Sequence, residues 1–322
     1  MGKGWSGHRR AAANARGYVL PPVGLPIGPV AAVWLRKLRA FDAAILIVFW
    51  TLFSMVIQGG LLLLPGRGKV VFPRVFWGVF ATLIGLHVRL VGKRLTRGST
   101  GRPVVFIANH TSWLDIAVIG GKLETCFVSK DAVRDWPGVN LVAKLGRTAY
   151  VSRQRANTGR EVDVIRQRLD AGDNLVLFPE GTTDDGSRVL PFRSSFLSVA
   201  EGDDPPMIQP VTVVYDRLAG LPAGRFNRPL FAYYGDMNIG RHFWRLVQCH
   251  GLGATLVLHD PVDPRDFADR KALTRALETT IADCASALRQ NRPVGTDPVG
   301  TDPVGTNEDS MADALSCKEN LT

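Results

Sequence analysis

A chain of 322 residues, 46% hydrophobic, with a mean hydropathy of +0.05, has apolar material for a large core and for more than an ordinary soluble core uses. Its formal charge of +10 directs it toward anionic partners, with nucleic acid, anionic lipid headgroups and phosphorylated substrates all open on charge alone. Four cysteines, at 126, 249, 284 and 317, show no C-x-x-C pair, which argues against a disulfide framework or a zinc site and suits a reducing compartment.

Residues 1–42 are basic: Lys3, Arg9, Arg10, Arg16, Arg36, Lys37 and Arg39 stand against the single acid Asp42. The first thirty or so are rich in Gly, Pro, Ala and Arg without an apolar period, the composition of a mobile arm. From Ala43 to Leu64 there are 22 residues without a formal charge, long enough to span a bilayer as a helix and long for a buried core helix. The stretch starts too far into the chain for a secretory signal and lacks a small-residue cleavage site, so it is expected to be retained. Arg36, Lys37 and Arg39 flank it on one side and Arg67, Lys69 and Arg74 on the other, so charge does not orient it. Gly59–Gly60 offers a bend, and a second apolar stretch, Arg74 to Leu86, follows at once. A membrane span and a helical hairpin dipping into one leaflet are both open over residues 43–86.

Beyond this the pattern turns to short apolar runs separated by helical segments. Residues 87–92, 103–108, 125–129, 174–178, 208–215 and 255–259 read as strands. "REVDVIRQRLDAG" places Val162, Ile165 and Leu169 on one helical face and ends at Gly172, a C-cap residue. From Asp266 to Arg289, Phe267, Leu273, Leu277, Ile281, Cys284 and Leu288 recur at helical spacing, with Pro293 as the expected stop. The alternation predicts an α/β domain over residues 87–290, a mostly parallel sheet flanked by helices. Residues 291–322 carry "PVGTDPVGTDPVGTN", a Pro- and Gly-rich repeat followed by acids that is expected to stay disordered.

"ANHTSWLD" follows the strand at 103–108 and sets His110 five residues before Asp115. On one helix, residues five apart stand about 140° apart and do not face each other. The pair meets only if His110 ends the strand and Asp115 lies in the first helical turn, with Thr111 or Ser112 as N-cap. That corner lets a carboxylate hold one imidazole nitrogen and leave the other as a base; the bland alternative is a histidine in a capped turn. "LVLFPEGTT" runs a strand into Pro179, Glu180, Gly181 and Thr182, where Gly181 permits a positive φ and backbone N–H groups can cradle an anion. "GRTAYVSRQR" offers Arg153 and Arg155, suited to phosphate or to a solvated loop. The other histidines carry no metal-ligand spacing: His87 and His259 are expected on strands, His242 and His250 in loops.

In this order, "NHTSWLD", "GRTAYVSR", "FPEGT" and the proline-bearing strand "IQPVTVV" together resemble the glycerolipid acyltransferase family over residues 75–275, whose best-known members are lysophosphatidic acid acyltransferases. The resemblance implies His110 as catalytic base with Asp115 as its partner. It implies acceptor binding through Gly146 and Arg153, headgroup contact through Glu180, Gly181 and Thr182, and a structural role for Pro210. It further implies acyl-CoA or acyl-carrier protein as co-substrate, no cofactor or metal, and a membrane-borne lysolipid acceptor, first of all 1-acyl-sn-glycerol-3-phosphate. The place implied is the bacterial inner membrane, with the catalytic domain on the cytoplasmic side. The chain departs from the family at Thr183, where Arg is frequent, with Asp184 and Asp185 after it, and at Ser195, where Gly is frequent. These changes leave room for another acceptor, such as a lyso-ornithine lipid. No nucleic-acid partner is expected, because the basic arm abuts a membrane-grade apolar stretch rather than groove-reading elements.

Overall fold

The computed structural model describes residues 30–130, 149–151 and 158–294. The arm before Val30, the segments holding Gly146, Arg153 and Arg155, and the repeat-bearing tail from residue 295 onward lie outside the described residues.

Helix α1, Val30–Leu63, is 34 residues long and contains one stretch, Trp34–Leu63, long and apolar enough to cross a membrane. It begins well before the uncharged stretch because "RKLRAF" is built of good helix formers. The chain stays helical through Gly59–Gly60, and the reversal falls at residues 64–67 instead. There Pro65 cannot continue a helix and Gly66 takes φ +111°. Helix α2, Gly68–Leu83, returns along α1. Trp50 Nε1 donates to the Phe76 carbonyl at 3.1 Å, and Gln58 Nε2 to that of Lys69 at 2.9 Å. The two helices thus form an antiparallel helical hairpin.

The hairpin is docked on the α/β domain at two places. α2 crosses helix α3, Leu114–Gly120, where a Cβ on Gly121 would lie 3.1 Å from the Gly78 Cα, so only glycine admits this approach. Nearer the start of α1, the Arg39 guanidinium donates to the Gln248 and Cys249 carbonyls, and Ala40 is fully buried. Along the rest of α1, Phe41, Phe49, Phe53 and Val56 are each more than half exposed, an apolar strip that no other described residue covers.

The sheet comprises β1 (Leu86–Val91), β2 (Val104–Ala108), β3 (Cys126–Lys130), β4 (Ala149–Val151), β5 (Leu175–Leu177), β6 (Met207–Leu218), β7 (Leu221–Pro222) and β8 (Leu252–Leu258). Their order is β1-β8-β6-β2-β5-β3-β4, with β7 folded back on β6. β6, β2, β5, β3 and β4 are mutually parallel; β8 meets β6 antiparallel and carries β1 parallel to itself. The expected parallel sheet is therefore present, with one reversal of direction at β6–β8. β4 and the two-residue β7 were not expected as strands.

All five side chains of β2 are fully buried, because both faces of the sheet are covered. Val104, Phe106 and Ala108 pack with α2, α3 and the outer strands. Val105 and Ile107 face the other side, with helix α4 (Thr158–Asp170) and helix α6 (Arg270–Arg289). α4 buries Ile165 and Leu169, as its periodicity predicts, while the side chain of Val162 lies outside the described ones. α4 ends as expected at Gly172, φ +87°, with Gly172 N–H to the Leu169 carbonyl and Asp173 N–H to that of Arg168. α6 starts later than expected, capped by Asp269, because residues 264–266 form a separate 3₁₀ turn. It stops before Pro293: Asn291 takes φ +56° and closes the same kind of cap, so the proline plays no part in ending it.

Candidate active site

β2 and β5 are parallel neighbours, so the residues that follow them emerge side by side at the carboxyl end of the sheet, where open α/β sheets usually bind ligands. His110 lies two residues beyond β2 and Glu180 three beyond β5. The expected corner forms. His110 Nδ1 lies 2.8 Å from Asp115 Oδ2, Asp115 sits in the first turn of α3, and its side chain is fully buried while that of His110 is 22% exposed. The imidazole stacks on Phe178, with centroids 4.1 Å apart and planes 19° from parallel, which holds the ring in one plane.

Asp115 is served by more donors than the sequence suggests. Oδ2 also accepts the backbone N–H groups of Thr111 (2.7 Å) and Ser112 (2.9 Å), and Oδ1 accepts the Tyr215 hydroxyl at 2.6 Å. Neither Thr111 nor Ser112 acts as a side-chain N-cap, and Trp113, at the N-cap position, makes no side-chain cap either. The aspartate instead takes the N–H groups of the residues before the helix, which is both a cap and a means of fixing the carboxylate beside the imidazole. Desolvation raises the Tyr215 hydroxyl well above its usual value, with the Asp115 charge acting in the same sense, so it remains a proton donor to that carboxylate at neutral pH.

Glu180 is placed otherwise than the resemblance implies. It is 2% exposed, and its two carboxylate oxygens accept the backbone N–H groups of His110 (2.7 Å) and Leu190 (2.9 Å). It ties the loop after β5 to the residue after β2 and does not face an incoming headgroup. Gly181 takes φ +68°, and a Cβ there would press on the Phe196 ring at 3.2 Å; Thr182 is exposed. Pro210, on β6 opposite Ile107 of β2, sits one residue before the β6–β8 ladder begins. Gly146 and Arg153 belong to the segments outside the described residues.

Sequence reading missed four supporting groups. Tyr215 follows Val211 and Val213 at alternate positions on the β6 face that meets α3, a period-two signal that could have marked it. Asn109 replaces a backbone ladder with its amide, donating to the Val213 carbonyl (2.9 Å) and accepting its N–H (2.8 Å). Phe178, at the end of the strand expected over 174–178, lies just beyond β5 and stacks on the His110 imidazole. His242 is not in a loop but buried on helix α5, Ile239–Val247, where Trp113 Nε1 donates to its Nδ1 at 2.9 Å. Its Nε2 therefore carries the proton toward the Leu230 carbonyl at 3.1 Å, a neutral tautomer set by its neighbours.

Burial moves two of these groups in opposite directions. It raises the Glu180 carboxyl to about 8, against the opposing pull of its two backbone donors. It lowers the His242 imidazole to about 4. Glu180 stabilises the fold fully below its ordinary range and loses that contribution as pH rises through about 8. His242 stabilises it above about 6.5 and loses that contribution as pH falls through about 4. The two slopes oppose each other between about 4.5 and 6.5, so Glu180 stands clear of His242 only above that window. Stability of the detergent-solubilised protein should fall by roughly 1–2 kcal/mol between about pH 6.5 and 8. Thermal unfolding across this range should show a flatter profile in Glu180→Gln; an unchanged slope would remove Glu180 as its source.

The profile of the family described as Acyltransferase matches residues 87–214. Lyso-ornithine lipid O-acyltransferase of Brucella abortus (strain 2308) is 35% identical over 251 residues, covering 76% of this chain and 92% of that protein. The enzyme of the same name from Rhizobium meliloti (strain 1021) is 34% identical over 246 residues, covering 74% and 83%. The 1-acyl-sn-glycerol-3-phosphate acyltransferase of Neisseria meningitidis serogroup B (strain ATCC BAA-335 / MC58) is 28% identical over 209 residues, covering 63% and 76%. Among solved structures, the 1-acyl-sn-glycerophosphate acyltransferase PlsC of Thermotoga maritima superposes with a TM-score of 0.54 at 21% identity, over 80% of this chain and 97% of that one. That last likeness is one of fold.

Proposed function

The chain belongs to the acyltransferase family, and we propose that it moves a fatty acyl group from a thioester donor to the free hydroxyl of a membrane-borne lysolipid. The observation that carries this reading is the corner at the end of β2. A buried carboxylate holds Nδ1 of a partly exposed histidine and leaves Nε2 for chemistry. In the proposed step Nε2 takes the hydroxyl proton as the acceptor oxygen bonds to the thioester carbonyl carbon. The C–S bond then breaks, and the imidazolium returns the proton to the departing thiolate. Asp115 is the positioning partner that stabilises the imidazolium, and Tyr215, Phe178 and Glu180 hold the pair. The acceptor is itself the nucleophile, so the step asks for no acyl-enzyme and no cofactor beyond the donor, acyl-CoA or acyl-carrier protein.

The backbone N–H groups of His110, Thr111 and Ser112 are already committed to carboxylates, so the oxyanion is assigned to donors other than these. The exposed apolar strip of α1 supports membrane association as a hairpin in one leaflet. Its 16-residue partner α2, about 24 Å long, is short of the roughly 30 Å hydrocarbon core. We place the domain on the cytoplasmic side of a bacterial inner membrane, where thioester donors are made.

For the acceptor, lyso-ornithine lipid comes first. The Brucella and Rhizobium enzymes of that name match over more of this chain, and at higher identity, than the Neisseria enzyme does. Asp184 and Asp185 suit an ammonium-bearing headgroup better than a phosphate. The Neisseria relative favours the second reading, 1-acyl-sn-glycerol-3-phosphate. Purified protein, one acyl donor and a panel of lysolipids, followed by thiol release, tests both. Lyso-ornithine lipid should show a kcat/KM about tenfold or more above that of 1-acylglycerol-3-phosphate. The reverse order would restore the phosphate acceptor, and no lysolipid-dependent thiol release would refute acyl transfer.

A further inference from the structure

Large apolar side chains away from the hairpin are also exposed, and three of them gather toward one end of the molecule. Leu221 is 68% exposed, Phe226 88% and Trp244 38%. Topology places them. β2 and β6 are parallel, so the β6–β7 turn leaves the sheet in the direction in which β2 delivers His110. β8 is antiparallel to β6, so the chain entering β8 from α5 lies at that same end. The two meet: Ala219 N–H donates to the His250 carbonyl and Gly220 N–H to that of Gly251. Leu221, Phe226 and Trp244 thus share the His110 end of the sheet.

Helix α5 is built to present its outer face. Its inner side is pinned by buried His242, hydrogen-bonded to Trp113, and by buried Leu246 and Val247. Arg241 and Trp244, three residues apart and so on one helical face, point outward. The end of α5 adjoins α1 through the Arg39 contacts to Gln248 and Cys249, which places it beside the hairpin that carries the exposed apolar strip. An exposed aromatic beside arginine, with its helix lying flat against the domain, is the composition of an interfacial membrane contact. Exposed apolar rings favour a lipid interface over an acidic protein partner, for which the arginines alone would serve.

We propose that Leu221, Phe226, Arg241 and Trp244 form a second membrane contact, separate from the hairpin, that lays the His110 end of the domain on an anionic bilayer. It rests on the reading of the acceptor as a membrane lipid, but its test reads depth rather than turnover. With Cys317→Ser removing the cysteine outside the described residues, and Cys126, Cys249 and Cys284 buried, single reporters can be attached to the full-length chain. Phe226→Cys and Trp244→Cys, each labelled with an environment-sensitive fluorophore, are compared with Asp203→Cys, an exposed site just ahead of the amino end of β6.

On vesicles containing phosphatidylglycerol, labels at 226 and 244 should shift to the blue and be quenched by brominated acyl chains, while the label at 203 should not. The shift should weaken on phosphatidylcholine alone, and Arg241→Glu should reduce it at 226 while the hairpin keeps the protein on sedimenting vesicles. Labels at 226 and 244 that stay as water-exposed as 203 on bound protein would overturn the proposal. So would a shift produced by acyl-carrier protein without vesicles and absent with them, which would make this face a protein-docking site. Bilayer contact without acyl transfer in the acceptor panel would leave this contact standing and the catalytic reading refuted.

Discussion

Replacing His110 with alanine is expected to lower turnover by about 10²–10⁴-fold while the protein stays folded and membrane-bound. Among the described residues Nε2 makes no hydrogen bond, so it is the nitrogen left for the acceptor, and the variant leaves the acceptor hydroxyl with the acidity of an ordinary alcohol. The structural cost is small. The side chain is partly exposed, and its loss removes one stack on Phe178 and one of four donors to Asp115. Initial rates of thiol release at saturating donor and acceptor, with vesicle sedimentation alongside, separate the two effects. Near-normal acyl transfer would sink the assignment of His110 as the base.

The second large effect is expected at Asp115. In Asp115→Asn the amide oxygen can stay with His110 Nδ1 and the Thr111 and Ser112 N–H groups, and the amide nitrogen can donate to Tyr215, whose hydroxyl then accepts. The imidazole keeps its tautomer and the corner keeps its shape, but the negative charge that stabilises the imidazolium is gone. Turnover should fall by about 10²–10⁴-fold, with little change in the acceptor KM. Tyr215→Phe is the graded companion. It leaves the charge in place and removes one donor from Oδ1, costing about 1–2 kcal/mol of local stabilisation. Its turnover should fall, but by less than that of Asp115→Asn, with the acceptor KM little changed. Unchanged turnover with reduced stability would make Tyr215 a packing residue only, and full activity in Asp115→Asn would remove the charge argument.

Much of this was legible because it is local. The five-residue spacing of His110 and Asp115 already required a strand-to-helix corner, and the apolar run before it supplied the strand. The cap at Gly172, the buried stripe of α6 and the membrane-grade helix were equally readable, since each depends on residues within a few positions of one another. Errors fell where a nearer signal pre-empted the expected one. Asn291 ended α6 ahead of Pro293, Pro65–Gly66 turned the hairpin in place of Gly59–Gly60, and Asp115 made the cap that Thr111 or Ser112 was expected to make.

By itself, then, the sequence determined the element types, the apolar hairpin material and the His110–Asp115 corner. Only the tertiary structure decided what surrounds that corner. Glu180 reaches His110 across 70 residues, Tyr215 reaches Asp115 across 100, and His242 reaches Trp113 across 129. These contacts exist because β2 lies between β5 and β6, and because α5 packs beside α1 with His242 turned toward Trp113. Strand order is set by the burial of both sheet faces at once, a property of the whole core that no short window of residues encodes. It turned Glu180 from an expected headgroup ligand into a buried tie, and brought the exposed apolar side chains of Leu221, Phe226 and Trp244 to the end that carries His110.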